Sequence, residues 1–477
     1  MRPHVSLDGR ERLTVPDIAA VAAGTAGISV TDAVLDEVRR TRATATVLAA
    51  QRPVYGRSTG VGANKGVEIT DRAHHATAVL RSHATSAGEL REPRRVRAML
   101  AVRCAQLAAA GSGVAPEIIE ALVAMIEAEV LPPVREYGSI GTGDLSALAT
   151  TALALTGELE PAPPLLVTFD ERDALAFISS NAATIGDAGL AAAGLTMLAQ
   201  AALVVAALTS AAVDGNPEAW SVPVESVTPF PGAREVCRTM RRLTADAAAP
   251  TRIQDPFGLR ALPQVHGVLL DALAGLTSTV EALANAAAEN PVFSAEPALV
   301  AHNGGFHVAY LATALDTMRS ALAQAAQLGQ ARLANLVDPA LTGLTPFLAA
   351  EPGGSGVMVL EYVAASALAE LRAAATPTAV QSVSISRGAE DDASFAALGA
   401  SLALRGVGAY RTVVACELVA AVRALRMRGR ELAPPYADLP AGLDDRDLTG
   451  DLELAARLLP LLGAQPAESS SGRSSSA

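Results

Sequence analysis

The sequence predicts a mainly α-helical protein, and three features lead to this prediction. Hydrophobic residues make up 50% of the 477 positions and aromatic residues only 3%, a composition that suits closely packed helices better than a β-sandwich. Apolar side chains recur at helical spacing along much of the chain. The uncharged stretch from Ala188 to Val213 is long enough to span a membrane, but it is Ala-rich and contains Thr196 and Gln200. It therefore predicts a helix buried in a bundle.

The first predicted elements are helices joined by a glycine-rich loop. Thr31 directly precedes a helical apolar pattern that reaches Val38, so Thr31 is the expected N-cap. A second helix covers residues 118–126 and has to end at Pro132-Pro133. The glycine-rich segment 137–145 comes next and opens into another helix.

The remaining elements suggest two regions and a tail. Residues 161–177 indicate a connection with one short strand, after which long helices continue. We therefore predict an N-terminal region with loop-rich active-site segments over residues 1–187 and a central and C-terminal helical bundle over 188–465. The Ser-rich segment 466–477 is predicted to be disordered.

Charge and cysteine usage exclude several classes of function. The net charge of -12 argues against binding to nucleic acid or to an anionic membrane surface, because both need a basic field. The cysteines Cys104, Cys237 and Cys416 are far apart and show no metal-ligand spacing, so no metal site is predicted. The first residues lack an apolar core, so no secretory signal is visible, and we expect a cytoplasmic protein.

A series of motifs resembles those of one enzyme family. Tyr55-Gly56-Arg57-Ser58-Thr59-Gly60-Val61-Gly62 resembles the tyrosine-glycine loop of histidine, phenylalanine and tyrosine ammonia-lyases. Further matches follow in that family's order: Arg81-Ser82-His83, Tyr137-Gly138-Ser139, Gln254-Asp255-Pro256-Phe257 with Arg260, Glu289-Asn290-Pro291, Phe306-His307, Asp338-Pro339-Ala340-Leu341 and Glu390-Asp391. They extend from Leu7 to about Ser394, and on them the chain resembles the aromatic amino acid ammonia-lyases and aminomutases.

The resemblance implies a fold, an assembly and a prosthetic group. It implies the long helical bundle of the ammonia-lyases, which is like that of fumarase and aspartase, and a homotetramer whose sites combine loops from several subunits. It also implies a methylidene-imidazolone (MIO) electrophile made from an Ala-Ser-Gly triad, when an amide nitrogen attacks a nearby carbonyl and two waters leave. No external cofactor is implied.

The electrophile loop departs from the family pattern. It is one residue short and has Gly141-Thr142-Gly143 where the family has Ala-Ser-Gly. Gly141 permits a tight turn, Thr142 can lose its hydroxyl as Ser does, and Gly143 offers an unhindered nitrogen. Dehydrated Thr142 would, however, carry an extra methyl group on the carbon that the amine attacks. The alternative is a glycine-rich turn in which Thr142 or Asp144 caps the next helix.

Two groups of site residues follow from the resemblance. Tyr55 corresponds to the catalytic base or acid, and base work needs a lowered phenol pKa. Arg260, with Gln254, corresponds to the group that binds the substrate carboxylate, a role that suits a guanidinium. Phe257 occupies the place of a second family tyrosine, so a hydroxyl that helps the electrophile is absent.

Four more residues correspond to the family's pocket. Asn181 matches an asparagine that bonds the electrophile or the substrate, and Phe306 matches a pocket aromatic. His83 matches the selectivity position and resembles the histidine-using and tyrosine-mutating branches, which implies a polar substrate side chain. Glu390 matches a carboxylate near the substrate, although the neighbouring acidic residues could equally form a solvated face.

The sequence leaves three functions open. The first is an ammonia-lyase or aminomutase that acts on an amino acid with a polar or aromatic side chain, using an electrophile formed from residues 141–143. The second is a family member without this group that catalyses acid-base elimination, isomerisation or cyclisation of another small molecule. The third is a non-catalytic binding protein, which would leave Tyr55, Arg260 and Glu390 without a reason to occur together.

Overall fold

The computed structural model describes residues 2–246 and 248–464, and these are mainly helical as predicted. The helices are α1 Val15–Ala22, α2 Asp32–Gln51, α3 Arg72–His83, α4 Pro93–Ala108, α5 Pro116–Glu127, α6 Leu145–Leu155, α7 Ala174–Ile178, α8 Ala182–Ala212, α9 Val222–Val227, α10 Pro231–Leu243, α11 Phe257–Arg260, α12 Leu262–Ala284, α13 Ala309–Val337, α14 Pro339–Thr342, α15 Met358–Ala374, α16 Ala396–Met427 and α17 Thr449–Gly463. The strands are β1 His4–Leu7, β2 Gly27–Val30, β3 Ala87–Leu90, β4 Arg135–Tyr137, β5 Val292–Ser294 and β6 Leu299–Ala301. The predicted tail 466–477 lies outside the described residues.

The strands form three small sheets of two strands each. β1 and β2 pair in parallel, whereas β3 with β4 and β5 with β6 pair in antiparallel fashion. The strand predicted within residues 161–177 is wrong, because this segment, described throughout, is a loop that leads into α7. Val167 N–H donates to the Leu155 carbonyl at 3.0 Å, so the segment packs against the end of α6.

The early helices lie where they were predicted, with differences at their ends. α2 begins after Thr31, yet within the described residues the Thr31 hydroxyl makes no capping hydrogen bond and is buried without a partner. α5 ends at Glu127, before Pro132, because Glu129 takes a left-handed φ of 55°. The helix stops through a local backbone reversal rather than at the prolines.

Two helical segments are long and apolar enough to cross a membrane, judged by length and composition. They are Ala174–Ala212 and Leu262–Ala284. In the first, 67% of the most apolar 18-residue window is buried, as expected for a core helix. In the second, the buried share is 39%.

The chain divides into two compact units that differ from the predicted domains. The first unit holds the chain up to Ala193 together with Ala274–Thr317 and Pro377–Leu404. The second holds Gly194–Leu273, Met318–Thr376 and the chain from Arg405 onward. The first boundary lies close to the predicted one at residue 187, but later segments return to the first unit. This return matters because it brings residues 302–306 and 386–396 into the unit that holds the tyrosine and electrophile loops.

Candidate active site

A cavity of about 710 Å³ in the first unit brings five predicted site residues together. Its lining includes Tyr55, His83, Thr142, Phe306 and Glu390. They come from five separate segments of the chain, so the fold, rather than any single motif, assembles them. The cavity is the candidate active site.

Tyr55 lies in the tyrosine loop, which we define as residues 53–66 and which follows α2. Its backbone N–H donates to His302 Nε2 at 3.1 Å, and its phenol oxygen accepts from the Gly62 N–H at 2.7 Å. Gly56 has a φ of +72°, and a Cβ there would meet Leu175 Cδ2 at 2.0 Å, so only glycine fits. The loop is therefore tightly packed at Gly56, at its beginning.

To act as a base, Tyr55 was expected to have a lowered phenol pKa. In this structure its pKa is not lowered. Burial raises its pKa, and the negative charge of Glu390 adds to this effect, whereas the hydrogen bond from Gly62 acts in the opposite direction. Tyr55 consequently carries its proton at neutral pH in this structure.

The electrophile loop, which we define as residues 139–144, is held by hydrogen bonds from distant segments. Gly141 has a φ of +87° and Gly143 a φ of +119°. The Gly141 carbonyl accepts from Ser394 Oγ at 3.1 Å, and the Gly143 N–H donates to Asn181 Oδ1 at 3.2 Å. Both bonds involve the backbone groups between which the family's ring closes.

Neither predicted capping side chain caps α6. Thr142 Oγ1 donates to Glu390 Oε2 at 3.3 Å and lies on the cavity wall. Asp144 directly precedes α6, but within the described residues its side chain makes no capping hydrogen bond to the start of α6. It accepts instead from the N–H and the hydroxyl of Thr184, at 2.7 and 2.9 Å, and so caps α8. The capping interpretation of this turn is wrong for both residues.

The electrophile loop lies against the N-termini of three helices. Asp144 leads directly into α6 and caps the first turn of α8. Phe395 N–H, one residue before α16, donates to the Ile140 carbonyl at 2.9 Å. The unpaired N–H groups at helix starts give each end a partial positive charge. The loop therefore lies where negative charge on it is stabilised.

Asn181 links the electrophile loop to the opposite wall of the site. Besides holding the Gly143 N–H, its amide Nδ2 donates to the Phe306 carbonyl. The preceding Ser180 is itself held by Gln106, to which its hydroxyl donates at 2.6 Å. Asn181 thus lies beside the loop and contacts its backbone rather than the cavity.

A buried ion pair that sequence reasoning missed supports this segment. Arg103 and Glu289 are both buried, and their Nη1 and Oε1 atoms lie 2.8 Å apart. Arg103 also donates to the carbonyls of Ala176 and Phe177 at the end of α7. Arg103 thereby holds the end of α7, the segment that leads to Asn181. In the sequence, only the Glu289-Asn290-Pro291 motif had indicated a role for Glu289.

His83 and Phe306 both line the cavity. His83 Nδ1 lies 2.8 Å from the Val79 carbonyl and 3.1 Å from Ser82 Oγ. Because a carbonyl only accepts, Nδ1 carries the proton in this bond, so that Nε2 is an acceptor in the neutral form of the ring. The residue after Phe306 is His307, and its Nε2 atom lies 3.5 Å from Asp392 Oδ2.

Three predicted substrate-binding residues belong to the second unit. Arg260 Nη1 donates to Gln254 Oε1 at 2.8 Å, and the guanidinium stacks over the Phe257 ring at 4.3 Å. Arg260 Nε is buried without a hydrogen-bond partner in the described part of the chain. These residues are not in the lining of the cavity described above.

Sequence reasoning also missed His302, Ser386 and Ser394. His302 and Ser386 line the cavity, and Ser386 Oγ accepts from the Ala63 N–H of the tyrosine loop at 3.1 Å. His302 and Ser394 lie within a few residues of the Phe306 and Glu390 motifs. That proximity was the one signal that could have suggested them.

Solved aminomutase structures share this fold. The tyrosine aminomutase from Streptomyces globisporus is similar with a TM-score of 0.88 and 27% identity, covering 96% of this chain and 97% of that one. The phenylalanine aminomutase of Pantoea agglomerans gives a TM-score of 0.90 at 24% identity, with 96% and 99% covered, a likeness of fold alone. The architecture is therefore that of the ammonia-lyases and aminomutases.

Sequence relatives define the family more closely. The model of the aromatic amino acid lyase family matches residues 13–442, and the chain belongs to this family. Histidine ammonia-lyase from Geobacillus thermodenitrificans is 35% identical over 456 residues, covering 88% of this chain and 90% of the relative. The chain is a carbon–nitrogen lyase of the ammonia-lyase and aminomutase type, which removes the alternative of a non-catalytic binding protein.

Proposed function

We propose that this enzyme eliminates ammonia from, or shifts the amine of, an α-amino acid with a polar or aromatic side chain, using an electrophile formed from Gly141-Thr142-Gly143. The observation that carries the proposal is the position of Thr142. Its hydroxyl lies on the wall of a cavity that Tyr55 and Glu390 also line, and it bonds to Glu390. The residue that must lose its hydroxyl thus faces the space where a substrate would bind.

The contacts of the loop support its conversion into an imidazolone-type group. The Gly141 carbonyl and the Gly143 N–H, which would join, each have a hydrogen-bond partner that orients them. Both glycines take positive φ values that other residues rarely adopt. The group would supply an electrophilic carbon that makes the substrate amine a better leaving group.

Tyr55 and Glu390 supply the proton transfers. A weakly acidic β-proton has to leave the substrate together with the amine, so one group must accept a proton and another must donate one. The raised pKa keeps the Tyr55 phenol protonated at neutral pH. Tyr55 therefore acts as a proton donor, or as a base once its own proton has moved to an acceptor. Glu390 lines the same cavity and can be that acceptor.

His83 favours a substrate whose side chain donates a hydrogen bond. Its Nδ1 is occupied by the Val79 carbonyl, which leaves Nε2 of the neutral ring to accept. An imidazole N–H or a phenol O–H would satisfy it, whereas a plain benzene ring would leave it unpaired at a cost in binding. Phe306 offers an apolar surface for the same ring. We therefore rank histidine and tyrosine above phenylalanine.

The remaining parts of the proposal follow from the resemblance. Arg260, Gln254 and Phe257 do not line the cavity of their own chain, so Arg260 would bind the substrate carboxylate, with Gln254 and Phe257 beside it, in a site that several subunits assemble. Its stacked guanidinium has an Nε without a partner in the described residues, which suits a planar anion. We further propose that the protein is cytoplasmic. We also propose that it is a homotetramer, since the family implied by the motifs assembles its sites from several subunits.

Intact mass and turnover test the proposal together. The purified full-length chain should lack the mass of two waters, and the deficit should map to the peptide that contains Thr142. Incubation with histidine, tyrosine or phenylalanine should release ammonia or yield the β-amino acid. Thr142→Ala should lose one water at most and should lose turnover, whereas the matched exposed variant Thr85→Ala should match the unchanged enzyme.

The second candidate is an acid-base enzyme without the prosthetic group. It is favoured by the short loop, in which a Cβ at position 141 would lie 2.1 Å from Ser394 Oγ, so the family's Ala has no room there. Under this candidate the intact mass is unmodified and Thr142→Ala remains active, while Tyr55→Phe is still damaging. Ammonia release retained in Thr142→Ala would refute the first candidate.

A further inference from the structure

Ser394 is placed to act on the backbone of the electrophile loop. Its hydroxyl donates to the Gly141 carbonyl oxygen at 3.1 Å, and the side chain is buried, with 4% exposed. The carbonyl that accepts this bond is the one that the Gly143 nitrogen would attack under the proposed function. A hydrogen bond at this oxygen therefore withdraws electrons from the reacting carbon.

The surroundings of Ser394 strengthen it as a donor. Its oxygen accepts from the Ala396 N–H at 3.4 Å, the first N–H of α16. Accepting one hydrogen bond makes a hydroxyl a better donor of another. The Phe395 N–H also donates to the Ile140 carbonyl at 2.9 Å, so residues 394–396 lie directly against the loop. The partial positive charge of a helix start thus reaches the Gly141 oxygen through Ser394.

The attacking nitrogen is held independently on the other side of the ring that would form. The Gly143 N–H donates to Asn181 Oδ1 at 3.2 Å. Asn181 and Ser394 belong to segments far apart in the sequence, and each holds one of the two reacting backbone groups. Orienting both partners of a cyclisation lowers its entropic barrier.

We propose that Ser394 is the residue that activates the Gly141 carbonyl for closure of the ring, as the donor of an oxyanion-type hydrogen bond, while Asn181 orients the Gly143 nitrogen. This inference rests on the proposed function, because it assigns the chemistry that makes its electrophile. It concerns the maturation of the protein rather than its turnover of substrate.

The bonds and protons of the maturation balance without an added reactant. The Gly143 nitrogen forms a bond to the Gly141 carbonyl carbon, and negative charge gathers on the oxygen that Ser394 holds. That oxygen leaves as the first water with the protons of the Gly143 and Thr142 amides. The second water takes the Thr142 hydroxyl and the proton from its Cα, leaving a Cα=Cβ double bond with a methyl group on Cβ.

The time course of the mass change tests Ser394 directly. Full-length chains are produced by cell-free synthesis, and the fraction lacking two waters is followed by intact mass spectrometry. Removing one donor to a developing oxyanion slows such reactions by about 100-fold, so Ser394→Ala should retain its full mass when the unchanged chain has matured. Ser226→Ala is the matched control, because Ser226 is exposed and its hydroxyl donates to the Pro223 carbonyl within its own helix, α9. It should mature at the unchanged rate.

The outcomes separate this inference from the proposed function. If the unchanged chain never loses water, the proposed electrophile is wrong and the role of Ser394 is refuted with it. If the unchanged chain and Ser394→Ala mature equally fast, only the role of Ser394 is refuted. Should Ser394→Ala fail to fold by circular dichroism, Ser394→Cys keeps the size with a weaker donor and should mature more slowly. Maturation of that variant at the unchanged rate would also refute the role.

Discussion

The tyrosine loop and the electrophile loop are both rich in glycine, yet the fold holds them differently. In the electrophile loop, Gly141, Gly143 and Asp144 are buried and bonded to segments at the starts of helices. In the tyrosine loop, residues 64–66 are exposed, and within the described residues the last bond of the loop to a distant segment is the one from Ala63 to Ser386. The electrophile loop is therefore held by more buried contacts than the exposed end of the tyrosine loop, which predicts a difference in local stability.

The largest effect should come from adding a methyl group to the rigid loop. A Cβ at Gly141 would lie 2.1 Å from Ser394 Oγ, at a φ of +87°. Gly141→Ala should lower the free energy of unfolding by about 3 kcal/mol and abolish turnover. The control is Gly66→Ala in the tyrosine loop, where a Cβ meets nothing within 4 Å, so the change should stay within about 0.5 kcal/mol. Equal effects in denaturant titrations would contradict the contrast between the loops.

Tyr55→Phe should separate activity from stability. Losing a group that transfers a proton should lower kcat by about 10²–10⁴-fold, whereas losing the bond from Gly62 should lower the free energy of unfolding by about 1 kcal/mol. With its raised pKa, Tyr55 acting as the base predicts that kcat/KM of the unchanged enzyme rises into alkaline pH, and Tyr55 acting as the donor predicts that it falls there. Either dependence should be absent in Tyr55→Phe.

Tyr310→Phe serves as the control for this substitution, because Tyr310 is 85% exposed. It should leave kcat and stability unchanged. A loss of stability in Tyr55→Phe as large as that in Gly141→Ala would mean that the tyrosine loop is as rigid as the electrophile loop.

A smaller effect, on the tyrosine loop, should appear when the pH of the solution is lowered. His302 Nε2 accepts the Tyr55 N–H only while it is unprotonated. Burial, aided by the charge of Arg52, lowers the His302 pKa below its usual value. Since the folded pKa lies below the unfolded one, this contribution is present above about pH 6.5 and is lost as pH falls through the folded value. Protection of the Tyr55 amide against hydrogen exchange, measured relative to the intrinsic rate at each pH, should then fall.

His302→Gln should remove this acid sensitivity, because an amide oxygen accepts at every pH. His74→Gln is the matched control, since His74 is exposed. Acid sensitivity that persists in His302→Gln would show that another group releases the loop.

The smallest effect concerns the unchanged protein. The amides of Lys65 and Gly66, which are exposed, should exchange with solvent faster than those of Gly143 and Asp144, because exposed loop segments open more readily than buried ones. Mass-resolved exchange of the two peptides measures this directly. Slower exchange in the tyrosine loop would reverse the comparison.

The sequence predicted the helices and the main cavity residues because these depend on local patterns. Helical periodicity located α2, α5 and α8, and the motifs placed Tyr55 and Glu390 at one site. The strand expected in residues 161–177 was wrong, since a short apolar run does not reveal whether a partner strand exists.

Contacts between segments that are far apart in the sequence could not be predicted from the sequence. The sequence suggested that Asp144 caps α6, the helix that follows it, but its side chain bonds to Thr184 instead. The direction of the Tyr55 pKa depends on burial and on the distance to Glu390. Ser394 lies 253 residues after Gly141, and no spacing rule connects them. Such relations become visible only once the helices have packed.

The distance along the chain between Gly141 and Ser394 has a consequence for biosynthesis. The loop leaves the ribosome long before the serine that bonds to it, and 253 further residues must be translated first. On the maturation proposed above, a nascent or truncated chain that ends before Ser394 should mature about 100-fold more slowly. The mass of the protein would then record that synthesis had passed Ser394 and that the first unit, whose last segment ends at Leu404, had folded.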